Sequence, residues 1–165
     1  MKRVRLVGEA VFTGGWLGMQ QVALGFALLA GAGATAALFF ALIAAWVAGG
    51  AAGALFGRRP ALLLGTGLGL AVIAELSLGT WPFAAAPIGL AMVAGAACGA
   101  YASVFLRDRA SVWGDARGLL LWENNGFLGG YALGGLLLLF WSSDVLDVGS
   151  AILGLALLAQ RLRWG

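Results

Sequence analysis

The chain has 165 residues, 62% hydrophobic and only 10% charged, with a mean hydropathy of +0.97. A soluble domain carries roughly 25% charged residues, and one this small has too little interior for so much apolar surface, so lipid is expected to be the solvent for most of the chain. With one cysteine, Cys98, and no histidine, an internal disulfide, a Cys/His metal site and a thiol relay within the chain are excluded, and no cofactor is expected.

At about 20 residues per crossing, the sequence divides into one domain of six transmembrane helices, covering about 7–29, 35–56, 61–79, 84–106, 118–141 and 145–160. Lys2, Arg3 and Arg5 precede the first helix. Its apolar run is too long for a signal peptide and flows into further spans without a cleavage site. Glu9, close to Arg3 and Arg5, reads as half of a surface ion pair. Gln20 and Gln21 lie deep in this helix, where they either hydrogen-bond across to the fourth or fifth helix or contact a substrate.

The second helix carries Gly49, Gly53 and Gly57 at a spacing of four, which places them on one face as a groove for a neighbour. Arg58 and Arg59 fill the turn that follows. In the third helix Glu75 stands near the end opposite that turn, at a vestibule position. The fourth helix is rich in Ala and Gly, among which Cys98 reads as a small packing residue. Arg107, Arg109 and Arg117 follow it in a loop, balanced by Asp108 and Asp115.

The fifth helix carries Glu123, Asn124 and Asn125, then Gly126, Gly130 and Gly134 on one face. An ionisable group inside a span costs several kcal/mol unless paired or hydrated. Glu123 is therefore either a cation or proton site, with Asn124 or Asn125 as hydrogen-bonding partners, or an interhelical clamp to a basic residue such as Arg117. The sixth helix is short, bounded by Asp144 and Arg161.

In this six-helix arrangement all 10 Lys and Arg residues fall on one side of the membrane. The positive-inside rule places that side, with both termini, in the cytoplasm of a bacterial-type inner membrane. Trp81, Trp141 and Trp164 fall at helix ends, as interfacial aromatics do. The basic charge is explained by topology, and nucleic acid is not needed as a partner. The triple-glycine ladders hold equivalent positions if the first three helices and the last three are repeats of opposite orientation, a 3+3 inverted repeat.

The run Ala48-Gly49-Gly50-Ala51-Ala52-Gly53-Ala54-Leu55-Phe56-Gly57-Arg58-Arg59 resembles the glycine-rich second helix and basic turn of major facilitator proteins. It is closer to the half-facilitator membrane domain of spermidine-synthase-like proteins. Gly118 to Gly130, with Trp122, Glu123 and spaced glycines, is similar to that family's fifth helix, and Met19-Gln20-Gln21 resembles the polar position of its first. The resemblance implies the fold and a relation to polyamines or other organic cations. The sequence has no nucleotide-like strand-helix unit and no acidic synthase site, so polyamine synthesis is not implied.

Catalysis is not expected, since no nucleophile-histidine set, metal cluster or phosphate loop occurs. Three readings remain: a half-facilitator transporter working as a homodimer or with a partner, a non-catalytic subunit packing within a larger membrane complex, and a small oligomeric channel.

Overall fold

The computed structural model describes residues 2–33 and 35–164, and leaves the side chains of Lys2, Arg3 and Trp164 undescribed. The expectations for those three side chains therefore lie outside the described residues. The described chain is all α-helical: α1 Lys2–Ala32, α2 Ala36–Phe56, α3 Pro60–Thr80, α4 Ala85–Trp113, α5 Ala116–Phe140 and α6 Ser143–Trp164. Five of these, all but α5, are long and apolar enough to cross a membrane. At 25 residues α5 has the length, but Glu123, Asn124 and Asn125 lower its hydropathy.

The helix ends correct the sequence reading at three places. α1 starts at Lys2 rather than near Val7, and α6 is a full helix of 22 residues rather than a short one. α4 runs on through Arg107 and Arg109 to Trp113, where a loop was expected. At about 1.5 Å per residue, α1 and α4 are each roughly 45 Å long. They outrun a hydrocarbon core of about 30 Å, and their charged turns are the surplus. The loop after α4 shrinks to Gly114 and Asp115. Gly114 adopts a left-handed φ of 83° that suits glycine, and the Asp115 carboxylate accepts from the Arg117 and Gly118 N–H groups to cap α5.

Two helix pairs carry the closest packing, and both are parallel. Along α2 and α4, Gly49 faces Ala96, Gly53 faces Ala100 and Gly57 faces Val104, while Gly99 of α4 lies against the Trp46 carbonyl. Along α1 and α5, Gly126 faces Val11, Gly130 faces Gly15 and Gly134 faces Val22, while Gly14 of α1 lies against the Glu123 carbonyl. A Cβ at Gly49, Gly53, Gly126 or Gly130 would overlap backbone atoms of the facing helix. Backbone contact between helices needs these glycines, because apolar side chains gain nothing by leaving lipid for one another.

The register of the two pairs is the same. Gly49 on Ala96 with Gly99 on Trp46 has its counterpart in Gly126 on Val11 with Gly14 on Glu123. Trp16 and Tyr101, each two residues beyond the reciprocal glycine, meet edge to face at the centre, with ring centroids 6.1 Å apart. Around them pack Leu17, Leu64, Leu68, Cys98, Phe105 and Leu157. α3 and α6 flank this core. Gly65 of α3 meets Leu158 of α6, and Gly154 of α6 meets Trp16 and Leu68.

Candidate functional site

The α1, α3, α4 and α6 walls leave a cavity at each end of the bundle, separated by the Trp16–Tyr101 core. One end carries the start of α1, the turn after α2, the end of α4, the start of α5 and the end of α6, and so holds the described basic residues. The other carries the connections after α1, α3 and α5.

The cavity at the second end has a volume of about 650 Å³, within the range of small-molecule sites. α1 contributes Phe26 and Ala30, α3 contributes Glu75 and Leu76, and α6 contributes Asp144 and Asp147. Neither Lys nor Arg lines it. Glu75 is anchored from inside the protein. Gln20 Nε2 donates to its Oε1 at 3.0 Å, Ser150 Oγ donates to Gln20 Oε1 at 2.7 Å, and Trp16 Nε1 donates to the Ser150 carbonyl at 3.1 Å. Gln20 and Ser150 are buried, so this chain fixes one carboxylate oxygen from below while the group lines the cavity above. Carboxylates with apolar neighbours and no internal cation suit a ligand with ammonium groups on a hydrocarbon frame.

At the basic end charge is compensated within the protein. Glu9, buried rather than at the surface, accepts from Arg5 Nε at 3.2 Å and pairs with Arg109 Nε at 3.1 Å and Arg161 Nη1 at 3.7 Å. Arg161 is itself buried, donates from Nε to the Tyr101 hydroxyl at 3.2 Å and lies 4.7 Å above the Phe105 ring. One carboxylate thus ties α1 to α4 and α6 and closes the bundle at this end. Arg107 joins α4 to the end of α2, donating to the Gly57 carbonyl at 2.6 Å and the Ala54 carbonyl at 3.3 Å, and its Nη2 pairs with Asp108 at 3.4 Å.

The residues singled out from the sequence fall in different places. Gln20 does make an interhelical hydrogen bond, but to α3 and α6 rather than to the fourth or fifth helix, because α1 turns this face toward α3 and α6. Gln21 is half-buried and lines neither cavity. Glu123 is buried at 6% exposure where α5 meets α1, forms no ion pair with Arg117 and lines neither cavity. Asn124 and Asn125 are exposed on α5, since the face that carries Glu123 and the glycines is turned to α1. The structure does not bring Glu123 and the two asparagines together at a cavity. Arg58 and Arg59 line the cavity at the basic end.

Asp147 and Ser150 were not singled out from the sequence. Their signal was present: Asp144, Asp147 and Ser150 recur every three residues, which puts them along one side of a helix. Starting the sixth helix at 145 broke that pattern. Among the described residues no group of His, Cys, Asp and Glu is arranged to hold a metal ion. No protein-family model, curated protein or solved structure matches the chain.

Proposed function

We propose that the protein is a small transporter-like membrane protein that binds an organic cation, such as a polyamine, in the carboxylate cavity. The observation that carries this reading is the set Glu75, Asp144 and Asp147 around one cavity without a basic residue, with Glu75 held by buried Gln20. Uncompensated carboxylates next to apolar walls favour a ligand that brings its own positive charge. By the positive-inside rule the basic end is cytoplasmic and the carboxylate cavity faces the opposite side, in a bacterial-type inner membrane.

The equal register of α2 on α4 and α5 on α1 supports a 3+3 inverted repeat, the unit of a half-facilitator fold. Exchanging the first three helices with the last three turns one pair into the other and exchanges Trp16 with Tyr101. Six helices supply half of the usual transporter wall, so the functional form is a homodimer. Asn124 and Asn125 on the outer face of α5 favour that partner, because two amides left in lipid are costly and amides at equal depth in two copies are self-complementary.

The test is uptake of labelled spermidine by proteoliposomes. The wild-type protein is expected to accumulate it, Glu75→Gln to lose at least tenfold, and Glu123→Gln to retain it. Uptake unchanged in Glu75→Gln would remove the carboxylate cavity as the site. Stoichiometric co-purification with other subunits, without uptake, would favour the second reading, in which the exposed amides of α5 dock the protein into a larger complex.

A further inference from the structure

The cavity at the basic end has a volume of about 640 Å³ and is lined by Arg58, Arg59, Asp108, Arg109 and Arg161, with Phe105, Leu62 and Leu162 as apolar wall. Its charged groups divide into two kinds. Arg109 and Arg161 are committed to Glu9, and Asp108 to Arg107. Arg58 and Arg59 form no ion pair among the described residues. Beside them in the cavity wall is the start of α3, where Pro60 occupies the first turn and Arg59 supplies no side-chain cap. The N–H groups of Ala61 and Leu62, both residues of the cavity lining, have no acceptor within the helix. Unpaired guanidinium groups beside free N–H donors at the positive end of a helix make an anion site, and phosphate oxygens suit guanidinium geometry.

The apolar part of the wall favours a lipid over a soluble anion. Leu62 and Leu162 are 61% and 72% exposed on the outside of the bundle, at the end of the spanning helices where phospholipid headgroups lie. A lipid phosphate held by Arg58 and Arg59 would lay its acyl chains along those two leucines. A soluble phosphate would use the donors alone and gain nothing from the leucines. We infer that the cavity between the α2–α3 turn, α4 and α6 binds the phosphate group of an anionic phospholipid from the leaflet at the basic end.

Native mass spectrometry of the delipidated full chain in mild detergent tests this, titrated with phosphatidylglycerol, phosphatidylcholine or inorganic phosphate. Phosphatidylglycerol is expected to bind in preference to phosphatidylcholine. The double variant Arg58→Gln/Arg59→Gln is expected to weaken it about 25-fold, from about fivefold for each arginine near an anionic surface. Arg58→Lys/Arg59→Lys is expected to retain most of the binding. Arg117→Gln, at the same end but outside the cavity, is expected to change it less than twofold. Circular dichroism and elution volume report on folding, which both double variants are expected to keep because Arg58 and Arg59 are exposed. Equal loss in Arg117→Gln would reduce the effect to diffuse charge and overturn the site. Unchanged binding in the double glutamine variant would do the same. Tighter binding of inorganic phosphate than of the lipid would overturn the lipid assignment.

Discussion

At the basic end a single buried carboxylate, Glu9, meets Arg5, Arg109 and Arg161, whereas at the other end Glu75, Asp144 and Asp147 share a cavity with no arginine or lysine. The same side-chain chemistry thus serves opposite purposes. Where opposite charges meet inside the protein, they join helices that lipid alone would not hold together. Where the carboxylates line a cavity, no basic side chain lines it with them. The difference arises because the arginines reaching Glu9 stand at the basic ends of α1, α4 and α6, and these helices carry no lysine or arginine at their far ends.

Neutralising one glutamate at each end is the sharpest way to break this comparison. Glu9→Gln leaves Arg109 and Arg161 without their anion, and loss of one partner from a buried ion pair costs about 3–5 kcal/mol. A large fall in the thermal midpoint in mild detergent is expected. Glu75→Gln keeps a carbonyl oxygen that accepts from Gln20 and relieves repulsion from Asp147, so its midpoint should hold or rise. If the two variants lose equal stability, the contrast between the ends is wrong.

Gly49→Ala and Gly126→Ala act midway between the ends and separate packing from charge. Each added methyl meets backbone of the facing helix, and overpacking of this kind costs about 1–3 kcal/mol. The two variants are expected to fall together, because they hold the same place in the repeated register. A loss confined to one of them, measured by the same midpoint, would count against the equivalence of the pairs.

The smallest loss among the destabilising variants is expected from Gln20→Ala, which removes the anchor of Glu75. Gln20 makes two interhelical hydrogen bonds, each worth about 0.6 kcal/mol on average in membranes, and its loss leaves the buried Ser150 hydroxyl without an acceptor, so a modest fall in the midpoint is expected. Cation binding should nevertheless weaken, because Glu75 loses the donor that fixes its carboxylate. A variant that binds a labelled polyamine as the wild type does would show that the buried chain from Trp16 to Glu75 has no part in the site.

Much of the fold was legible because hydropathy and glycine spacing are local signals. The apolar runs located all six helices, and the ladders on α2 and α5 identified the faces that meet α4 and α1. The carboxylate cavity was not legible in that way. Glu75 stood alone in its helix, Asp147 and Ser150 fell in a helix taken to be short, and Gln20 had no visible partner. Glu123 drew attention through two polar neighbours in sequence, yet at about 100° per residue helical geometry turns those neighbours away from the face that meets α1. Glu9 beside Arg5 resembled a surface pair, and only the crossing of α4 and α6 over α1 buried it.

By itself the sequence determined the apolar, helical character of the chain, the number of helices and the sorting of the described basic charge to one end, because each depends on residues close together in the chain. Tertiary structure decided which polar groups meet. Gln20 reaches Glu75 and Ser150, and Glu9 reaches Arg109 and Arg161, across separations that no local pattern encodes. In lipid the close approach of glycine faces chooses the neighbours, and the neighbours decide whether a buried charge is a tie between helices or an open site.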